Sequence, residues 1–508
     1  MNCIGKRWQA RAKLMRQDFS RLAKITLIYG SGTVVAQVAA VLLLPMYSRA
    51  LTPADYGVLA VVGLVTGILT PFLSMGLGQG MVRYYYEYES AQARQQLIRS
   101  CLVAASLTSL VVTVLAWIAL EPVVSLAFTS ADYTAYLRIG LATAFATSLA
   151  AIPRYTLRVQ QRAGWYVAFT VGQLLLSIGL GIYLVVIRHD GVTGALMAGL
   201  ISSAAAALVI NMLTLLETGL GQVSSAMAWR CFKFGVYFVP DALGASTIGL
   251  ADRWFLERYS TRVNLGLYNV GYRFGQGVQI LAVGPLEQAA GPYAYSTLKR
   301  PDFRQLWARI TTYSLLTAAF VALAISLHAA NLLKLLTVPA YYGAASVTPL
   351  IALAAVLELT NWFVSGGFGF GEKPKLAFAV TALGGIVNLG VNWALVPRYG
   401  MMGAASATVV AYAFMCVTSC TLAQALYPIK YEYGRVARIA LVALGLFALG
   451  RLVAVDNLAL NILLQTLVAF SLLPALLATG FFMAEERITV ARAWAALKAR
   501  RPWALGRV

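Results

Sequence analysis

The sequence predicts an all-α integral membrane protein of about fourteen transmembrane helices. Three observations carry that expectation: the hydropathy, the spacing of the apolar runs, and the sidedness of the positive charge. Of 508 residues, 60% are hydrophobic and 12% charged, with a mean hydropathy of +0.73. A soluble domain carries about 25% charged residues. A hydrocarbon core about 30 Å thick asks for roughly 20 apolar residues per helix. Runs of that kind lie near 25–47, 57–77, 99–120, 135–152, 166–187, 192–215 and 231–251. They continue near 265–290, 310–330, 345–370, 376–396, 401–424, 436–453 and 460–483. The connections between them are short, which leaves no room for a soluble domain.

Forty Lys and Arg against 19 Asp and Glu give a net charge of +21. In a soluble chain that balance would suggest nucleic acid. Here thirty of the basic residues fall on the side that holds both termini, nine on the other, and Arg273 falls inside a span. Basic residues accumulate on the cytoplasmic side of membrane proteins. Both termini are therefore expected in the cytoplasm, the number of spans is even, and nucleic acid is excluded as a partner. The basic stretch before the first span is about 24 residues long and the run after it can span, so no cleavable signal is expected.

The chain also repeats itself. At an offset of 209, Ala168/Ala377, Phe169/Phe378, Leu180/Leu389, Gly181/Gly390, Gly191/Gly400, Gly194/Gly403 and Ala198/Ala407 coincide. The same register pairs Arg49/Arg258, Thr52/Thr261, Gly57/Gly266 and Val61/Val270. Six spans separate the copies, so both begin on the same side, as in a parallel duplication. The expected layout is a basic segment at 1–24, a six-helix bundle at 25–216, and a second bundle at 229–425. Two further helices at 435–484 and a basic tail at 485–508 follow. The two bundles should face each other across a central cleft.

Several chemistries are excluded. Cys3, Cys101, Cys231, Cys416 and Cys420 form no disulfide or zinc pattern. His189 and His328 stand apart from any acid cluster, so no metal site or cofactor is expected. "GFGFGEK" lacks the spacing of a phosphate-binding loop, which leaves an ion gradient or downhill flux as the drive.

The stretches "ADRWFLERYSTRVNLGLYNVGYRFGQ" (251–276), "VNLGVNWALVPRYGMMGAASATVVAY" (387–412) and "YGSGTVVAQVAAVLLLPMYSRALTPADYGVLAV" (29–61) resemble the polysaccharide transporter (Wzx-type flippase) family. That family belongs to the multidrug/oligosaccharidyl-lipid/polysaccharide exporter superfamily. The resemblance implies alternating access through a cationic cleft in the bacterial inner membrane. It also implies transfer of an undecaprenyl-diphosphate-linked oligosaccharide from the cytoplasmic to the periplasmic leaflet, for O-antigen, capsule or exopolysaccharide synthesis. Membrane lipids, a polysaccharide polymerase and a chain-length regulator are the partners it implies, with H⁺ or Na⁺ as a coupling ion. Alternatives within the superfamily are a cation-coupled drug exporter and a flippase for lipid II, the peptidoglycan precursor. A membrane polymerase or ligase, an enzyme, would need a large periplasmic loop that the chain lacks.

Within that frame the charged residues in or near the spans are the candidate site. An Arg at the bilayer centre costs about 2.5–3.5 kcal/mol on insertion scales. Arg273 lies eight residues into its span, roughly 12 Å from the end, too deep to reach the interface. It should face a watery cavity, where its fork can hold a diphosphate, or pair with a carboxylate such as Asp241. Arg49, Arg253 and Arg258 lie at the periplasmic ends of their spans, where Arg49 and Arg258, equivalent in the repeat, would flank one entrance or simply be solvated at the interface. Arg83, Arg154 and Arg158 lie where a diphosphate would enter, although topology alone accounts for most of them. Asp241 beside Pro240, Glu358 and Glu287 are the candidates for ion coupling, and Asn361 lies one turn from Glu358.

Overall fold

The computed structural model describes residues 45–482 apart from 129–132, 161, 220, 299, 372 and 374. The side chains of 127, 163, 240–248, 288, 289, 291, 292, 295 and 296 also fall outside the description. Most of the first expected span and both basic tails therefore lie outside the described residues, which form an all-helical membrane protein without a strand. Nine of the described helices are long and apolar enough to cross a membrane.

The first bundle comprises α1 (Pro53–Ser74), α2 (Leu77–Tyr85), α3 (Ala91–Ile118), α4 (Leu120–Ala127), α5 (Tyr133–Leu149), α6 (Ala151–Val159), α7 (Ala163–Gly181) and α8 (Gly191–Thr218). The amphipathic helix α9 (Ser225–Gly235) leads into the second: α10 (Phe238–Tyr259), α11 (Arg262–Gly275), α12 (Gly284–Thr297), α13 (Phe303–Leu336), α14 (Thr348–Phe370) and α15 (Lys375–Leu426). Last come α16 (Tyr433–Leu452), α17 (Leu458–Phe470) and α18 (Leu472–Ala478). The expected spans 376–396 and 401–424 are run together in α15, broken by Gly400 at φ 52°, ψ −129°. The span expected at 231–251 starts later, because the chain breaks between Gly235 and Phe238. The connection expected at 252–264 is helical through Tyr259.

The duplication is visible in the backbone. Thr52 caps α1 by accepting from the Asp55 N–H, and Thr261, its counterpart 209 residues on, caps α11 by accepting from the Asn264 N–H. A capping oxygen there satisfies an amide that the helix leaves unpaired. Gly191 and Gly400 both take positive φ, 59° and 52°, a region that favours glycine. Pro71 interrupts α1 at the register where a π segment, Gln279–Val283, interrupts the span begun by α11. Either device bends a helix.

The bundles meet through glycines. A Cβ on Gly57 would collide with the Arg262 carbonyl, and one on Gly266 with the Pro53 carbonyl. These contacts exchange under the 209-residue register, so α1 and α11 meet about a pseudo-twofold axis at the face where both begin, the cap face. There the Tyr341 hydroxyl, from the second bundle, donates to the Leu51 carbonyl at 2.6 Å, and its ring stacks edge-on against Tyr56. At the opposite face Gly76 and Gly235 press on each other's carbonyls and Gly80 on that of Cys231. Glu87 holds both Arg83 and Arg230 at 2.9 Å.

The appended helices are tied to α13 by polar side chains. Asn461 donates to Asn331 at 2.6 Å, and Gln465 donates to the Gly450 carbonyl at 2.7 Å. In hydrocarbon such groups need partners inside the protein.

Gly57→Val and Gly266→Val should each lower stability by about 1–3 kcal/mol through overpacking. The double variant should fall short of additivity because both changes strain one contact. Thermal unfolding of the purified protein in detergent measures this.

Candidate functional site

A cavity of about 690 Å³ runs along α1. Thr66, Thr70 and Ser74 of α1 line it, with Thr143, Thr147 and Ser148 of α5 across from them. Arg154, Tyr155 and Arg158 of α6 and Tyr166 of α7 close its end away from the cap face. Nearly the whole wall belongs to the first bundle; the second contributes Arg273 from α11. The hydroxyls are made possible by back-bonding: Thr66, Thr70 and Thr143 each donate to a carbonyl four residues earlier, at 2.7–2.8 Å. Each keeps lone pairs free toward the cavity while its proton is satisfied.

The three guanidiniums are held differently. Arg154 donates to the Gln173 carboxamide, which donates in turn to Ser203 at 3.2 Å. Arg158 lies near the faces of two rings, 5.9 Å from the centroid of Tyr155 and 5.8 Å from that of Tyr166, the geometry of a cation–π contact. Arg273 makes no hydrogen bond or ion pair among the described residues, and the space it is exposed to is the cavity. Its neighbours in electrostatic range are Tyr56 and Arg253. An unpaired guanidinium opening on polar space presents its full fork of donors to an anion. No Asp or Glu lines the cavity among the described residues.

The other expected site residues are dispersed. Arg49 and Arg258 are exposed at the cap face. Arg253 turns back to the Gly249 carbonyl and lies over the Tyr272 ring at 4.8 Å. Arg83 is paired with Glu87, away from the cavity. Asp241 falls on α10, but its side chain lies outside the described residues. Glu358 and Glu287 lie within electrostatic range of each other in the second bundle, and Glu358 meets the Tyr412 hydroxyl. Asn361 accepts from Ser419 at 2.7 Å.

A polar cluster that the sequence reading missed lies deep in the second bundle. Asp252 of α10 is fully buried. It accepts from the Tyr268 hydroxyl, from Asn392 Nδ2 at 2.7 Å and from Thr408 Oγ1 at 2.6 Å. Asn388, also fully buried, accepts from Asn392 at 3.1 Å. Asn388 Nδ2 and Asn392 Oδ1 have no partner among the described residues. Carboxamide orientation follows from the network rather than from the atoms themselves. With the Asn392 amide turned, Asp252, Asn388, Asn392 and Thr408 present a set of oxygens of the kind that binds hard cations. The signal was Asn388 and Asn392, four apart in an apolar run; Asp252 was masked by Arg253 and Arg258, which made its segment read as a loop.

The described residues thus form a multi-pass membrane protein whose two helical bundles repeat at a 209-residue offset and enclose a polar cavity, a class of fold shared with known proteins. The family described as polysaccharide biosynthesis protein matches residues 22–297, more than half of the chain, and the chain belongs to it. The uncharacterized membrane protein MJ1068 of Methanocaldococcus jannaschii is 22% identical over 253 residues, 47% of each chain, so the match spans about half of that relative. Among solved structures, lipid II flippase MurJ in an inward closed conformation shares the fold with a TM-score of 0.71 at 14% identity, over 88% of this chain and 98% of that one. An inward-facing multidrug resistance MATE family transporter follows at 0.61 and 17% identity, over 77% and 95%.

Removing one partner of a buried polar group leaves its desolvation uncompensated. Asn392→Leu should therefore destabilise the protein by about 1–3 kcal/mol, and Asp252→Asn by less, since an amide still accepts from Thr408. Chemical or thermal unfolding in detergent distinguishes the two.

Proposed function

We propose that the protein moves an undecaprenyl-diphosphate-linked oligosaccharide from the cytoplasmic to the periplasmic leaflet of the bacterial inner membrane for surface polysaccharide synthesis. The observation that carries this reading is Arg273, which has no hydrogen bond or ion pair among the described residues and faces a deep hydroxyl-lined cavity that also holds Arg154 and Arg158. The charge asymmetry supports placing the cap face in the periplasm and both termini in the cytoplasm.

On this reading Arg154 and Arg158 receive the diphosphate at the cytoplasmic end, and Arg273 holds it at mid-depth. Threonine and serine oxygens along α1 and α5 accept from sugar hydroxyls. The Gly57/Arg262 and Gly266/Pro53 contacts seal the periplasmic end, and the contacts between Gly76 and Gly235 must part to admit the head group. Alternating access then requires the two sets of contacts to open in turn. The drive is a cation, with the Asp252 cluster as its seat: a proton or Na⁺ there neutralises a buried carboxylate and alters how α10, α11 and α15 pack. The cluster joins Asp241, Glu287 and Glu358 as a candidate coupling group, and the four oxygen-bearing side chains gathered at Asp252 favour it.

A second reading, export of lipid II, is favoured by the fold likeness to the flippase of that name; both cargoes carry a polyprenyl diphosphate. Export of drug cations fits a cavity lined by arginines poorly.

In proteoliposomes, the wild type should transfer a diphosphate-linked oligosaccharide across the bilayer. Arg273→Ala should lower the rate by about tenfold or more, the loss expected of roughly 1.4 kcal/mol of charge-assisted binding. Arg273→Lys should retain part of it, because charge survives and the fork does not. Equal transfer by all three would remove Arg273 from the mechanism. Na⁺ should raise the melting temperature of the wild type relative to choline if it is the cation, and Asp252→Asn should abolish that rise.

A further inference from the structure

A second hollow, of about 550 Å³, lies on the other side of α1 from the cationic cavity. Leu64, Ile68 and Leu69 of α1 form one wall and Leu250 and Trp254 of α10 the facing one. Ala116 of α3 and Leu389 of α15 complete the lining. Among the described residues its lining is of apolar types, with the indole of Trp254 the most polar side chain. Because α1 and α3 belong to the first bundle and α10 and α15 to the second, the hollow sits on the seam between bundles. Its rim is open: Ile68, Val123 and Leu389 are 44%, 47% and 40% exposed.

The cavity and the hollow share α1 as a wall. Thr66 lines the cavity, Ile68 lines the hollow, and between them Gly67 has no side chain of its own. A methyl of Leu250 covers Gly67, so a Cβ there would collide with it. At this point the seam between bundles is closed by one leucine on one glycine, with arginines and hydroxyls behind it and hydrocarbon in front.

We propose that this hollow seats the hydrocarbon tail of the cargo while the head occupies the cationic cavity, with the Gly67–Leu250 contact as the seam the tail crosses. The inference rests on the flippase reading above. An amphiphile in transit has its diphosphate in water and its tail in the bilayer, so the bundles must part along a line that joins the two. A slot walled almost wholly by apolar atoms admits the tail and keeps water from following it, because water there would lose most of its hydrogen bonds. A bulk phospholipid chain could fill an apolar slot, but it would make no use of the adjoining Arg273 cavity; the polyprenyl tail of the cargo makes use of both.

The test uses the full-length wild-type protein in proteoliposomes and a diphosphate-linked oligosaccharide with a diazirine in the first isoprene units of its tail. Irradiation should label α1 and α10 at Ile68, Leu250 or Trp254. A phosphatidylethanolamine carrying the same group in its acyl chain should label them at least tenfold less. Ala116→Phe, which fills part of the slot, should slow transfer of a 55-carbon cargo by about tenfold and that of a 15-carbon analogue by less than twofold. Labelling elsewhere with transfer intact, equal labelling by the phospholipid, or equal slowing of both cargoes would overturn the tail seat alone. Wild type that moves neither cargo would overturn the flippase reading, and the tail seat with it.

Discussion

A carbonyl pressed against a glycine, twice over, sets the geometry of the molecule. Gly57 lies on Arg262 and Gly266 on Pro53, each pair the image of the other under the 209-residue register. Backbones approach this closely only where no Cβ intervenes, so the first long helices of the two bundles are fixed against each other at their capped ends. Their N-caps, Thr52 and Thr261, hold the entering chain clear of that contact. The cavity is consequently blind at the cap face and lies where α1 diverges from α11, with Arg273 reaching back across the gap.

Much of this was legible in the sequence because a bilayer penalises ambiguity. The apolar runs, the charge asymmetry and the duplicated glycines each report a constraint that a single substitution cannot hide. Arg273 was legible for the same reason: a guanidinium at that depth must face water or a partner. The failures also have causes. The break at Gly235–Phe238 lies within an unbroken apolar run, so hydropathy could not see it. Asp252 stands beside basic residues that normally mark a span's end, yet the helix carries on to Tyr259 and buries it. Arg154 and Arg158 sit where topology demands arginines anyway, and only the shape of the cavity distinguishes them from Arg83, which spends its charge on Glu87.

The two bundles handle polarity in opposite ways. The first leaves the oxygens of Thr66, Thr70, Thr143 and Ser148 on open space, each hydroxyl proton absorbed by its own helix. The second closes polar groups on one another: Asp252 with Tyr268, Asn392 and Thr408, then Ser419 with Asn361. A low-dielectric interior strengthens a satisfied network and makes a half-satisfied one costly, so the unmatched amide atoms of Asn388 and Asn392 mark where the second bundle is under electrostatic tension.

That division has a consequence for inheritance. Since among the described residues one residue from the second half reaches a wall otherwise built by the first, substitutions in residues 47–199 can reshape the recess without touching the interior of residues 238–426. A gene of this kind can diversify one half quickly and hold the other steady. Recombination near residues 219–224, the short link before α9, would exchange recesses between relatives as intact modules.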